Sequence, residues 1–259
     1  MKKGSFPGLL YREFYLSKKT YVTGLILFAV TAVFGWLILL SFHYGNLAKV
    51  IDVVAGENAD PSMFDFDGLK QKMTDTVYLM MKGMPALMAM TFLFSGADIA
   101  GKDEKTIWQR FAKCTPVTPA MRAFVKMLMT LFAAALSVGL AVGYILFIDL
   151  LAGTTVTYTE LACVISASAA VTVLSVVAQI YIRAFRGLDK GMLALVVTVI
   201  VTEVTIMVTN SPSKKPNDQT ELDLAALCEQ VFPFTPLIFA GAFAVGFAVL
   251  YILYRRREK

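Results

Sequence analysis

Two charges stand inside otherwise apolar stretches of the chain, Lys82 and Glu203, and they are the first places where chemistry could sit. Each lies about six residues from the same-side edge of its stretch, roughly 9 Å deep at 1.5 Å of rise per residue. A charge in hydrocarbon is costly and faces protein or water. Opposite charges at matched depth therefore point to an ion pair between two spans, within one chain or across a dimer. The alternative is that each side chain reaches the surface alone, which is easier for the long Lys82 than for Glu203. Around Lys82 stand Met80, Met81, Met84, Pro85, Met88 and Met90. Pro85 lacks an N–H, so it frees a carbonyl one turn earlier and is expected to kink its helix. Flexible, polarisable methionines suit a surface that accepts varied apolar partners. Met80, Met81, Met84, Pro85 and Met88 thus form a candidate lining for a cargo path, with plain apolar filler as the competing reading.

The remaining reactive side chains exclude more than they offer. The cysteines are Cys114, Cys163 and Cys228 and the one histidine is His43, so no zinc or redox-pair spacing occurs. A Cys163–Cys228 disulfide is topologically open. There is no hydrolase elbow and no Gly-x-x-x-x-Gly-Lys-Ser/Thr loop: Gly101-Lys102 is followed by Asp103 and lacks the preceding strand and glycine. The chain is expected to be no enzyme, to hold no metal and to bring no cofactor of its own.

Helices that cross a membrane must position these residues. Of 259 positions 57% are hydrophobic and only 17% charged, against roughly 25% charged in a soluble domain. The apolar residues gather in six blocks, about 21–42, 77–96, 125–151, 161–182, 191–209 and 234–254. Each can cross a hydrocarbon layer of about 30 Å, which takes about 20 helical residues. The blocks are continuous instead of alternating, so their backbone is satisfied as helix and not as barrel strand. The first is read as a retained span, since Phe42-His43-Tyr44 follow it where a cleaved leader would carry small residues. The expected fold is all-α, a polytopic membrane protein of six transmembrane helices.

Basic residues set the orientation. With the amino terminus inside, segments 1–20, 97–124, 183–190 and 255–259 hold seventeen Lys and Arg, against five in the outer segments. The last two, Lys82 and Lys126, fall within spans. The positive-inside rule then places both termini in the cytoplasm, and the net charge of +5 reports topology instead of nucleic-acid binding.

The connections carry further signals. Phe6, Leu9, Leu10 and Phe14 recur at helical spacing, with Arg12 and Glu13 facing away, so residues 1–20 read as an amphipathic helix lying on the membrane ahead of a 21–259 transmembrane domain. An ordinary basic flank is the alternative. Between spans two and three, Ile107, Trp108 and Phe111 share one face of a short helix, ringed by Lys105, Arg110 and Lys113. Pro116 ends it, Thr118 is placed to cap the third span, and Pro119 to open it. This short cytoplasmic helix either rests on headgroups or docks a soluble partner, Trp and Arg being enriched at binding hot spots. Residues 221–230 read as a short helix before Pro233 and Pro236, and Gly139 and Gly143 form a Gly-x-x-x-Gly on span three.

In architecture the chain resembles the ABC type-2 permeases, and more narrowly the permease subunits of peptide-toxin exporters. The local part of the resemblance is Glu104, Trp108, Pro116-Val117-Thr118 and Lys126. It implies that Glu104, Lys105, Ile107, Trp108, Arg110 and Phe111 form a coupling helix seated in a groove of a separate ATPase subunit, which would bind ATP and Mg. It also implies a re-entrant segment between the last two spans, and a second permease copy, identical or related. The expected function is the transmembrane permease subunit of an ATP-driven exporter in the cell membrane, with amphipathic peptides or other hydrophobic cargo as its load. The competing reading is an ATP-independent membrane protein, either a secondary transporter or an assembly factor.

Overall fold

The computed structural model describes residues 6–43, 77, 81–105, 117–152, 156–193, 196–197 and 224–258. Every regular element among them is a helix. We label them α1 (Phe6–His43), α2 (Met81–Glu104), α3 (Pro119–Ala152), α4 (Tyr158–Ala184), α5 (Leu224–Val231) and α6 (Thr235–Glu258). Four of these helices, with the Ala226–Arg257 run through α5 and α6, make five stretches long and apolar enough to cross a membrane. The protein is a multi-pass membrane protein. The block at 191–209 lies outside the described residues except 191–193 and 196–197, which are helical.

α3 and α4 form the centre. α6 packs on both, α2 packs on α3 and α4, α1 lies against α2 and α3, and α5 lies against α4. The core is apolar and finely fitted: Met90, Phe92 and Leu93 of α2 meet Tyr21 of α1 and Met129, Ala133 and Ala134 of α3. Leu250 and Tyr254 of α6 close on Ala123, Met127 and Val176. α1 leaves most of its apolar side chains exposed and α6 buries few of its own, as helices beside lipid do.

Helix ends follow local rules. At the start of α3 the Met121 N–H donates to Thr118 Oγ1 at 3.2 Å, with Pro119 at the first helical position, as expected from the sequence. α4 opens on a full capping box: Thr157 Oγ1 accepts from the Glu160 N–H, and Glu160 Oε2 accepts from the Thr157 N–H, both at 3.3 Å. After α4 the chain turns back at Arg186, whose φ of 55° is left-handed, and Gly191 then lies so close to Ile182 that an added Cβ would sit 2.4 Å from its Cα.

Three expectations are corrected. Residues 6–20 form no separate interfacial helix but the first turns of the 38-residue α1. Glu13 faces inward, 1% exposed, where the sequence reading had it facing away. Span two also does not stop near Gly96: it continues as helix through Ser95–Lys105, so Asp98, Lys102, Asp103 and Glu104 belong to the bundle and not to a loop. Asp98 and Lys102 stay about one-third exposed, while ion pairs described below allow Asp103 and Glu104 to be buried.

Candidate functional site

Two ionic clusters, one buried and one partly exposed, occupy opposite ends of the bundle, and the same three helices contribute to both. At one end Asp103 of α2, 2% exposed, gathers three cations. Its Oδ1 accepts from Arg12 Nη2 at 2.6 Å, and its Oδ2 accepts from Lys126 Nζ at 2.6 Å and Arg183 Nη2 at 3.3 Å. Glu13 of α1 takes the second bonds of Lys126 and of Arg12, the latter at 2.6 Å. Tyr254 of α6 lies under both guanidinium groups of Arg183 and Arg122, at 5.0 and 5.4 Å from its ring centre. A second pair, Arg257 Nη1 to Glu104 Oε1 at 2.7 Å, ties the end of α6 to the end of α2. Leu9, Glu13, Asp103, Arg122, Lys126, Arg183 and Tyr254 enclose a cavity of about 10 Å³, the size of one water molecule. Five helices therefore converge on one carboxylate and its neighbours.

At the opposite end Lys82 of α2 donates to Asp149 Oδ1 of α3 at 2.7 Å and to Glu160 Oε1 of α4 at 2.8 Å. Asp149 is 2% exposed, so the lysine is what allows a carboxylate to be buried there. Glu160 does two things at once, capping α4 with one oxygen and holding Lys82 with the other.

Between the clusters, α2 changes its winding. Residues 81–89 are α-helical, Met90–Phe94 form a 3₁₀ turn, and α-helix resumes at Ser95. The Leu93 carbonyl accepts from the buried Ser175 hydroxyl of α4. Farther along, Gln179 Nε2 donates to Thr130 Oγ1 at 2.9 Å, and Gly96 gives Gln179 its room: a Cβ there would lie 2.2 Å from Nε2. Pro85 deprives the Met81 carbonyl of its helical donor, and Tyr144 Oη of α3 supplies one at 3.2 Å. The same hydroxyl lies 3.3 Å from the Ala32 carbonyl of α1. Gly35 allows that approach, since a Cβ would fall 2.2 Å from Oη and 2.7 Å from the Met81 oxygen.

The sequence-derived candidates are divided by this arrangement. Lys82 pairs with Asp149 and Glu160, which the sequence reading did not name, and its expected partner Glu203 lies outside the described residues. Of the methionine group, Met81 is core, Met84 is 46% exposed, Met88 is half-buried, Pro85 is buried, and Met80 lies outside the described residues. Among these four described residues, Met84 alone is largely exposed. Glu104, the last residue of α2, pairs with Arg257, and Lys105 extends the helix by one residue, while Ile107, Trp108, Arg110 and Phe111 lie outside the described residues. Cys163 and Cys228 are not bridged by a disulfide. α5 runs beside the first turns of α4, where Ser166 Oγ donates to the Cys228 carbonyl at 3.1 Å and Tyr158 stacks edge-on against Phe232. Among the described residues, nothing lies within 4 Å of where a Cβ at Gly139 or Gly143 would stand.

Sequence reasoning missed the partners of Lys82. Asp149 closes the third apolar block and Glu160 precedes the fourth, so both sit at the level where Lys82 enters the second. That matched depth was the available signal. Comparison with family models, with curated proteins and with solved structures finds no match for this chain.

Proposed function

We propose that the chain is the transmembrane permease subunit of an ATP-driven ABC exporter. Two copies, or one copy with a related permease, would enclose a path for amphipathic peptides or other hydrophobic cargo. The ATP-hydrolysing subunit is a separate chain, and both termini lie in the cytoplasm. The local resemblance to that family lies at Glu104, Trp108, Pro116-Val117-Thr118 and Lys126.

One observation supports it above the others. The 106–116 segment leaves α2 directly after Asp103 and Glu104 and joins α3 just before Arg122 and Lys126, so both its flanks are anchored in the same buried cluster. That cluster joins α1, α2, α3, α4 and α6. A push on Trp108 and Phe111 from an ATPase would reach five helices through short ionic contacts, which is what coupling of hydrolysis to a transport path requires. The course of α5 beside α4 fits the re-entrant segment that the resemblance implies.

The test is co-purification of the tagged chain from its native membrane, comparing wild type with Trp108→Ala plus Phe111→Ala. Recovery of an ABC ATPase with wild type, lost or weakened in the double variant, is the expected result. If no ATPase accompanies the wild-type chain while the membrane complex stays intact, the exporter reading fails and an ATP-independent role takes its place.

A further inference from the structure

The two ionic clusters are inverted copies in charge. At the Asp103 end, α2 supplies the acid and α3 and α4 supply the bases Lys126 and Arg183. At the Lys82 end, α2 supplies the base and α3 and α4 supply the acids Asp149 and Glu160. Each of the three helices thus carries one clamp residue near either end, with opposite signs. For α2 and α3 this runs against the helix dipole, which favours anions at the amino end and cations at the carboxyl end. Pairing between helices, and not the local field, explains the choice.

The spacing of the clamps does not match. In α3 the clamp residues Lys126 and Asp149 are 23 steps apart, and in α4 Glu160 and Arg183 are also 23 steps apart. In α2, Lys82 and Asp103 are only 21 steps apart. At 1.5 Å per step the longer helices span about 34.5 Å, whereas a wholly α-helical α2 would span about 31.5 Å. The shortfall is about 3 Å. The 3₁₀ turn at Met90–Phe94 lies midway between Lys82 and Asp103 and has five residues. A 3₁₀ turn rises about 2.0 Å per residue, so five such residues lengthen α2 by about 2.5 Å. The change in winding therefore supplies nearly all of what α2 lacks.

We propose that α2 is an extensible strut. The two inverted clamps hold it at the length of α3 and α4, and Met90–Phe94 is 3₁₀ because both clamps are closed. Release of either clamp lets the turn rewind to α-helix and shortens α2 by about 2.5 Å. The buried Ser175 hydroxyl, which reaches the Leu93 carbonyl, stabilises the lengthened form but does not impose it. Because the 106–116 segment follows α2 directly, the shortening is delivered there or at the Lys82 end, whichever clamp has opened. The strut acts in this way whatever the protein transports, and with or without an ATPase bound.

Spin labels at Leu87→Cys and Lys102→Cys, on the two sides of the turn, measure the strut in lipid nanodiscs. A second pair at Phe132→Cys and Leu146→Cys on α3 serves as a fixed ruler. Lys82→Met is expected to shorten the α2 distance by about 2–3 Å and leave the α3 distance unchanged, while Lys82→Arg keeps the wild-type length. Should Lys82→Met not fold, Lys82→Met with Asp149→Leu and Glu160→Gln removes the clamp without orphaning a charge and is read in the same way. An unchanged α2 distance in a folded clamp variant would mean that the long Lys82 side chain absorbs the mismatch, and overturns the proposal. So would a shortening produced by Ser175→Ala with both clamps intact, which would make the hydroxyl the cause of the turn.

Discussion

Replacement of Asp103 by asparagine keeps the volume of the side chain and removes its charge. Three cations then lose an anionic acceptor: Arg12 and Lys126, each at 2.6 Å, and Arg183 at 3.3 Å. Glu13 still serves Arg12 and Lys126, so the damage concentrates on Arg183, 1% exposed, whose one carboxylate contact among the described residues is Asp103. Removing one partner of a buried ion pair costs about 3–5 kcal/mol. With about 2–4 °C of melting temperature per kcal/mol for a chain of this size, the expected fall is about 6–20 °C. Asp98 is the internal control. It sits five residues earlier on the same helix, but it and Lys102 are about one-third exposed and an asparagine oxygen can still accept from Thr20 Oγ1, so Asp98→Asn should cost at most about 1 kcal/mol, or about 2–4 °C. Heating the detergent-solubilised protein and counting the monodisperse fraction by size-exclusion chromatography gives both values. If Asp103→Asn and Asp98→Asn fall together, the buried cluster does not carry the stability assigned to it. Recovery in Asp103→Leu with Arg183→Leu, relative to Asp103→Leu alone, would confirm that the cost lies in the stranded guanidinium.

Other substitutions separate close contacts from open space. Gly35→Ala pushes a methyl into Tyr144 Oη and the Met81 carbonyl and should cost about 1–3 kcal/mol in a thermal melt. Gly139→Ala and Gly143→Ala meet nothing among the described residues and should be neutral or stabilising by up to about 1 kcal/mol; equal losses at all three glycines would refute the distinction. Tyr144→Phe leaves the Met81 carbonyl unserved and should cost about 1–3 kcal/mol. In a Pro85→Ala background the alanine N–H can serve that carbonyl, so the same change should cost under about 1 kcal/mol, and a double-mutant cycle with no coupling would contradict this. Thr157→Ala removes the cap of α4 and should lower stability by about 1 kcal/mol, with a loss no larger than that of an exposed Thr→Ala elsewhere counting against it.

The parts of the fold that rest on local rules were legible in the sequence. Thr118-Pro119 announced the start of α3, and long apolar runs announced helices of membrane length, because capping and hydrocarbon burial are decided by neighbouring residues. What was hidden depends on pairing across distance. Asp103 and Glu104 look like loop residues until Lys126, Arg183 and Arg257 are brought beside them, and Glu13 looks outward until Lys126 is opposite it. The 3₁₀ turn carries no glycine or proline within Met90–Phe94 to betray it. It follows instead from a difference of two residues between charges on separate helices, which no window along one helix can reveal.

Pro85, Tyr144 and Gly35 sit on three different helices, yet each makes sense only in the presence of the others. The proline creates a vacant carbonyl, the tyrosine fills the vacancy, and the glycine gives the tyrosine its place. Such a trio constitutes a single unit of inheritance. A descendant that replaces the proline relaxes selection on the phenolic hydroxyl and on the bare backbone opposite, and a descendant that keeps it is bound to keep both. Among relatives of this chain, these three positions should therefore change together, and an alignment in which Pro85 persists without a hydroxyl at position 144 would show that another donor has taken over the carbonyl.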